Sequence, residues 1–567
     1  MTRKGNLNMT KRLGISFIAT VLLAAALGVV GIVSAAPTTV NVQLLAVNDF
    51  HGNLQPPSGS SGRVGTINAG GVEYLATHIN SLRSTNPRTV VVSAGDMIGA
   101  SPLLSALFHD EPTIEAFNQI GIDYNAVGNH EFDEGVTELQ RMQNGGCHPV
   151  DGCQDGDPFA GANFQFLAAN VVRKDNGKTI FPAYKMRSFA GAKIAFIGMT
   201  LEGTPNIVTP SGVAGVDFLD EAETVNALVP ELKSKGIETI VVLIHEGGFP
   251  SSFDINGCVG ISGPIVDIVN NLDNEIDVVI SGHTHQPYSC SIDGKLVTSG
   301  YSFGRLVTDI DLTIDRATGE VVSMAANNVI VTRDVSKDAL QTALIAKYDA
   351  LAAPLANRVI GSITADITRT NNAAGESALG DVIADAQLYQ TAPVGFGEAV
   401  VAFMNPGGIR ADLLYAQISG GELPGQVTYG ESFTVQPFGN SLVTMTLTGA
   451  QIDTLLEQQF TGCVAGTTAN RILQVSAGFT YSWSLLAPAC NKVDPATIKI
   501  NGVTIDPSAS YRVTVNSFLA DGGDSFPVLP LGTDRLGGAV DTDALEAYFV
   551  ASSPVAPGPQ NRITQVP

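Results

Sequence analysis

The stretch that decides the reading runs from Asp277 to His285, DVVISGHTH. Its first half, a short β-branched and apolar run, has the composition of a buried strand. Its second half sets two imidazoles one residue apart where such a strand would stop. An isolated His-x-His on a loop is more often polar surface than a metal site. The pair therefore gains meaning only from partners elsewhere in the chain.

Those partners recur upstream with the same placement. LLAVNDFHG ends in Asp49 and His51, and VVVSAGD ends in Asp96. YNAVGNHEFDEG supplies Asn129, His130 and Asp133, and VVLIHEG supplies His245. Five of the eight histidines thus follow apolar strand-like runs. In α/β sheets ligands collect outside the carboxyl ends of the strands, so these loops can converge. Carboxylate, imidazole and amide oxygen without thiolate suit Mn, Fe, Co or Zn. Any one of these residues alone reads better as a cap or a satisfied polar group; the whole ordered set does not. His78, His109 and His148 fall outside the pattern and receive no role.

The chain of 567 residues is too long for one core, and two large domains are expected. Hydrophobic residues make up 44%, charged residues 15%, with 60 Gly and 29 Pro, which describes a globular, loop-rich protein rather than a disordered or coiled-coil one. The net charge of −23 argues against binding nucleic acid polymers through a general electrostatic footprint. A local pair of cations could still admit a small anionic substrate.

Residues 1–36 read as a signal peptide. Arg3, Lys4, Lys11 and Arg12 precede an apolar stretch from Leu13 to Val33, and VSAAP then offers small residues for cleavage near Ala35 or Ala36. An uncleaved anchor is the competing reading. The expectation is a secreted, extracellular or periplasmic protein with no stable membrane anchor after cleavage. The six cysteines fit an oxidising compartment. They allow 15 pairings, and proximity in sequence favours Cys147 with Cys153, Cys258 with Cys290, and Cys463 with Cys490. No CxxC spacing supports thiolate metal binding.

From about residue 38 strand-like runs alternate with helix-like ones such as VEYLATHINSLRS and AETVNALVPELKSKG. FLAANVV reads as one of the strands. Residues 336–357 form one expected helix joining a first domain, 37–335, to a second α/β domain, 358–567, which contains ALGDVIADAQLYQ and the strands SLVTMTLTG and YRVTVNSF.

D-x-H, GD, GNHE, H and GHTH in this order resemble the calcineurin-like metallophosphoesterases. With the C-terminal motifs, nearly the whole chain after the signal resembles the secreted 5′-nucleotidase and UDP-sugar hydrolase family. The resemblance implies a four-layer α/β/β/α first domain and two divalent metal ions (Zn, Mn, Co or Fe) sharing a bridging Asp. Carried over by motif, one ion takes Asp49, His51, Asp96 and His285, and the other takes Asp96, Asn129, His245 and His283. The two histidines of GHTH would then serve different ions. Such a pair activates water and clamps phosphoryl oxygens during in-line displacement. His130 and Asp133 would form the catalytic pair, the Asp orienting the His toward developing charge.

The second domain would bind substrate. FMNPGGIRADL supplies Asn405, Gly407, Gly408 and Arg410, with Pro406 where the family has Gly. Glycines permit close backbone approach, and Arg can grip phosphate in a bidentate way. VQPFGNSL supplies Phe438 and Asn440, and NSFLADGGDSF supplies Phe518 and Asp524. Two rings can sandwich a base, and Asp524 can accept from ribose hydroxyls. Arg369 is the nearest match to an arginine that the family has before the helix in ESALGDVIADA. The expected activity is phosphate release from 5′-nucleotides, with nucleoside diphosphates and UDP-sugars left open as substrates. A 2′,3′-cyclic-nucleotide 2′-phosphodiesterase/3′-nucleotidase is the second enzyme reading. A metal-dead nucleotide-binding surface protein is the reading from another class, and the full ligand set opposes it.

Overall fold

In the strand Thr39–Val47, Val40, Val42, Leu44 and Ala46 point to one face, while Leu45 and Val47 point to the other. Both faces are apolar because the strand is covered on both sides, as period-two alternation in a buried sheet demands. The computed structural model describes residues 38–567 apart from Ser58, Thr209, Gly466 and Thr468. The apolar segment read as a signal peptide lies outside the described residues. Val40 to Pro567 make one compact unit.

Two six-stranded sheets build the N-terminal part. In the first, strands Thr39–Val47, Thr89–Ser93, Tyr124–Ala126 and Gln165–Leu167 run parallel and adjacent. In the second, Ala192–Thr200, Thr239–His245, Val278–Ser281 and Lys295–Gly300 are parallel neighbours. The sheets pack face to face through one apolar layer, with Val42, Leu44 and Val92 against Phe196, Leu243 and Ile280. Helices Val72–Arg83, Glu111–Ile120 and Gly135–Asn144 cover the outer face of the first sheet. Glu221–Ser234 and Pro264–Asn271 cover that of the second. The result is the four-layer α/β/β/α sandwich.

The helix expected at 336–357 spans Ala339–Ala356. It starts later because the Asp338 side chain accepts from the N–H groups of Leu340 and Gln341 and caps it. Its residues Leu344, Tyr348 and Ala352 join the core under the first sheet. FLAANVV is two strands, Gln165–Leu167 and Val171–Arg173, not one. Asn170 breaks the run: its amide exchanges hydrogen bonds with the backbone of Thr200 and donates to the Leu219 carbonyl.

Beyond that helix a five-stranded sheet carries Val401–Met404 parallel to Ser510–Asn516, which pairs antiparallel with Ser441–Thr448. No described sheet mixes strands from before and after the helix. Among the described residues no helix is long and apolar enough to cross a membrane.

All three cysteine pairs favoured by proximity are disulfides, with Cα atoms 4.7, 5.2 and 4.9 Å apart. Cys258–Cys290 ties the loop after His245 to the strand Pro287–Ile292, immediately past His285. Its sequence separation of 32 makes a loop whose closure restricts the unfolded chain. Replacing both cysteines with Ser is expected to cost about 2–4 kcal/mol, read as a lower urea midpoint at constant slope. An unchanged midpoint would contradict it.

Candidate active site

Every residue singled out at a strand end in the first half lies on one rim of the sandwich, because the parallel strands deliver their carboxyl ends together. Asp49 and His51 follow Thr39–Val47, Asp96 follows Thr89–Ser93, and Asn129 and His130 follow Tyr124–Ala126. His245 closes Thr239–His245, and His283 and His285 follow Val278–Ser281. Asp49, His51, Asp96, Asn129 and His245 are buried.

The backbone holds these groups in costly conformations. Asp49, His51, Asp96, His283 and His285 all have φ between 47° and 69°. Non-glycine residues seldom occupy this left-handed region, and where they cluster the surrounding fold enforces it, commonly at functional sites. Two glycines make the close packing possible. A side chain on Gly95 would fall 2.7 Å from the Gly128 nitrogen and from Nδ1 of His245. One on Gly128 would strike the Asp96 carboxylate.

The donor groupings at this centre include Asp49–His51–His285 and Asp96–His245–His283, with His51–Asp96–His130 overlapping them. Nε2 of His285 is 3.4 Å from Oδ1 of Asp49 and 3.1 Å from Nε2 of His51. Oδ2 of Asp96 is 2.9 Å from Nε2 of His245 and 3.7 Å from Nε2 of His51, so this carboxylate reaches both groupings. The Nδ1–H of His51 donates to the Gly99 carbonyl at 2.9 Å, and that of His245 donates to the Ala94 carbonyl at 2.7 Å. Each bond fixes the tautomer and leaves an Nε2 lone pair facing the centre.

The donor set fits divalent cations. Oδ1 of Asn129 and Nε2 of His245 are buried with no hydrogen-bond partner; the latter is close to Asp96 but not aligned to bond it. Burial holds His51 well below its usual range and, with the neighbouring His245, brings His283 down to about 3, so both imidazoles are neutral donors. Burial also opposes charge on His245, but Asp96 and Asp49 outweigh it and push it up to about 10. This pocket calls for positive charge beside Asp96, which a divalent ion supplies as a proton does.

His130 lies beside this centre. Its Nδ1–H donates to Asp133, at 2.9 Å to Oδ2 and 3.1 Å to Oδ1, and its backbone N–H donates to Oδ1 of Asp96 at 2.9 Å. Burial opposes its protonation, but Asp133 and Asp96 raise its pKa on balance.

The residues expected from the second half converge because the sheet brings their loops to one end. Asn405 follows Val401–Met404, Phe518 follows Ser510–Asn516, and Asn440 precedes Ser441–Thr448. Asn405, Gly407, Gly408, Arg410, Phe438, Asn440, Phe518 and Asp524 all border one cavity of about 220 Å³, together with Asn129, His130, Asp133 and His283. The Phe438 ring stacks on His130, centroids 5.7 Å apart and planes at 22°. The Arg410 guanidinium lies 5.8 Å from the Phe438 centroid. Asp524 accepts from Nδ2 of Asn405 at 2.8 Å, and Oδ1 of Asn405 accepts from Asn516 at 2.9 Å. Pro406 opens a 3₁₀ turn, Pro406–Gly408, where proline suits the first position. A side chain on Gly408 would collide with Met404, whereas Gly407 has room for one. Arg369 does not border the cavity. It reaches the Ile409 carbonyl at 3.4 Å, and its charge helps, after burial, to lower the Arg410 pKa.

Three contributors were not singled out from the sequence. Glu131, inside GNHE, accepts from the N–H groups of Asp96, Met97 and Gly128 at 2.9, 2.8 and 2.6 Å. It ties the loop of Asp96 to the loop of Asn129, and burial followed by the Asp96 charge pushes it up to about 7. Asn48 donates to the Tyr301 carbonyl and accepts from Gly300 N–H, bracing the turn that presents Asp49. Arg471 borders the cavity 3.3 Å from Asp524. Glu131 and Asn48 adjoin ligand motifs and could have been flagged; Arg471 had no local signal.

Residues 42–287 match the family described as calcineurin-like phosphoesterase, and residues 359–530 match the 5′-nucleotidase C-terminal domain. The chain is 32% identical over 533 residues to Endonuclease YhcR of Bacillus subtilis, covering 92% of this chain and 41% of that protein. It is 33% identical over 521 residues to cell wall protein Lmo0130 of Listeria monocytogenes, covering 87% of this chain and 64% of that one. It thus spans less than two thirds of either relative. Among solved structures, a 5′-nucleotidase precursor from Thermus thermophilus matches with a TM-score of 0.75 and 27% identity, covering 93% of this chain and 99% of that chain.

Proposed function

The chain belongs to the family that joins a calcineurin-like phosphoesterase to a 5′-nucleotidase C-terminal domain, and from that premise we propose a secreted dimetal phosphohydrolase that releases phosphate from 5′-nucleotides. The observation that carries this reading is the shared cavity. One face offers His130 and the metal donors, the other offers Arg410 and two phenylalanines.

Asp49, His51, Asp96 and His285 would hold one ion, and Asp96, Asn129, His245 and His283 the other. When bound, the ions supply an activated water and a clamp on the phosphoryl oxygens. His130, oriented by Asp133, faces the cavity and stabilises charge on the leaving oxygen. Arg410 grips the phosphate. Phe438 and Phe518 hold the base, which every nucleobase permits through its π face. Asp524, held by Asn405 and Arg471, accepts from ribose hydroxyls. Gly407, Gly408 and Asn440 shape the loops around the base and sugar. Three disulfides support an oxidising location. The net charge of −23 opposes polyanionic substrates and favours small ones.

Purified protein should release phosphate from AMP, lose that activity with chelator and regain it with Zn, Mn or Co. A panel of AMP, UMP, UDP-glucose and a 2′,3′-cyclic nucleotide ranks the substrates. No release from any 5′-nucleotide in defined metals would defeat the proposal. Phe518→Ala should lose about 1–3 kcal/mol of base stacking, seen in kcat/KM for AMP and hardly at all for para-nitrophenyl phosphate. Equal slowing of both would make Phe518 a packing residue.

A further inference from the structure

Arg471 borders the shared cavity with one guanidinium nitrogen engaged and another without a partner. Its Nε lies 3.3 Å from Oδ1 of Asp524. Its Nη1 is buried and has no hydrogen-bond partner among the described residues. A guanidinium is donor-only, and a buried donor left unmade costs free energy, so each such group calls for an explanation. The sheet accounts for where Arg471 stands. It precedes the strand Gln474–Val475, which pairs antiparallel with Val401–Met404, Gln474 opposite Met404. Residues just before the one strand and just after the other therefore reach the same end, and Arg471 and Asn405 border the same cavity. Arg471 N–H donates to the Gln459 carbonyl at 2.8 Å, which anchors its backbone.

Asp524 is fixed from its other side. Its Oδ2 accepts from Nδ2 of Asn405 at 2.8 Å, Oδ1 of Asn405 accepts from Nδ2 of Asn516 at 2.9 Å, and Oδ1 of Asn516 accepts from Leu519 N–H at 2.9 Å. Asn405, Asn516 and Asp524 are all buried. Asp524 has φ of 56°, a left-handed conformation that the surrounding fold enforces. A side chain on Gly523 would fall 2.5 Å from the Phe518 ring, so the loop that carries Asp524 and that ring lie directly against each other. Burial pushes the Asp524 carboxyl up, and the Arg471 charge is the largest influence opposing it. A carboxylate offers about four lone-pair directions. Asn405 engages one oxygen and Arg471 the other, which leaves acceptor capacity on both for a ligand.

We propose that Arg471 and Asp524 act as one recognition pair for the ribose hydroxyls, Asp524 accepting the O–H and Nη1 of Arg471 donating to the hydroxyl oxygen, so that Arg471 selects ribonucleotides over deoxynucleotides. The inference rests on the nucleotide reading of this cavity. A hydroxyl is a donor and an acceptor at once. Asp524 satisfies only the donor half, and a guanidinium satisfies only the acceptor half, so the two together complete it. The planar guanidinium presents its donors in fixed directions, and one can serve Asp524 while another serves the substrate. A substrate without the hydroxyl leaves both charged groups unpaired. A site built in this way rejects such an analogue far more strongly than an apolar pocket does.

Binding tests the pair without requiring catalysis. Adenosine and 2′,3′-dideoxyadenosine are titrated by calorimetry into the full chain, Arg471→Gln and Arg471→Lys, and kcat/KM is measured for AMP and 2′,3′-dideoxy-AMP. The parent should prefer the ribo compound by about 10²-fold in both assays. Arg471→Gln should cut that preference about tenfold or more, with the loss falling on the ribo compound. Arg471→Lys keeps the charge beside Asp524 but not the fork, and should lose the preference in the same way; it decides alone should Arg471→Gln fail to fold. Parent-like preference in Arg471→Lys would reduce Arg471 to a counter-charge for Asp524. Equal weakening of both nucleosides in Arg471→Gln would make it a base contact or a packing residue. Either result overturns the pair. A parent that prefers adenosine yet leaves AMP intact would support the pair and defeat the proposed function, and a parent that hydrolyses AMP with no ribo preference would do the reverse.

Discussion

Replacing Asp96 with Asn is expected to lower turnover about 10³-fold or more and to deplete the protein of metal. Asp96 reaches both donor groupings, at 2.9 Å from His245 and 3.7 Å from His51, and more closely than Asp49, which lies 3.9 Å from His245. The substitution removes a charge while keeping shape. Asn tolerates the left-handed φ of 50° found there better than most residues, and its side-chain oxygen can still accept from His130 N–H. The fold should survive, so the loss reports on electrostatics. Two cations acting on a phosphoryl group supply several kcal/mol of charge stabilisation, and each 1.4 kcal/mol is about tenfold in rate. Metal analysis on the purified variant, paired with AMP turnover, checks both halves. Two ions still bound with near-normal activity would sink the shared-ligand assignment.

His130→Ala should cost about 10²–10⁴-fold, the usual range for a positioned proton donor or acceptor. The effect should fall on AMP and para-nitrophenyl phosphate alike, since it concerns the leaving oxygen and not the base. Bound metal should stay at the parent level, because His130 belongs to neither expected ligand set. That combination separates it from Asp96→Asn, which loses metal, and from Phe518→Ala, which spares the substrate lacking a base. The Phe438 stack on His130 adds a complication that the experiment resolves. If the ring only supports Phe438, the variant will behave like a base-clamp variant and spare para-nitrophenyl phosphate. Asp133→Asn should fall in the same direction with a smaller effect, since the imidazole remains and only its orientation and charge support are lost.

The layered α/β pattern and the placement of candidate donors at strand ends were legible in the chain itself, while the four-layer arrangement was what the family resemblance implied. Continuous apolar and β-branched runs marked the strands, and the donors were written just after them, so parallel pairing was enough to gather them. The disulfides followed from proximity in sequence, because short loops close easily. Where local chemistry interrupted a pattern the reading failed: FLAANVV split because Asn170 turned its amide on Thr200 and Leu219.

What only the tertiary structure decided depends on contacts between distant segments and on backbone dihedrals, neither of which leaves a periodic trace. The left-handed conformations at Asp49, His51, Asp96, His283 and His285 are imposed by neighbours and not by residue type. Glu131 reads as part of a motif, but its three backbone bonds exist only once the loops of Asp96 and Asn129 lie side by side. Arg471 meets Asp524, and Phe438 meets His130, across long stretches of chain. His109 and His148 look scattered because no strand end marks them. Folding stacks them and ion-pairs His109 with Glu134 and Asp151, since the helix turn at His109 and the disulfide loop at His148 pack against each other. Sequence patterns record burial along one element; a binding constellation is a matter of distance between elements, and that distance is set by packing.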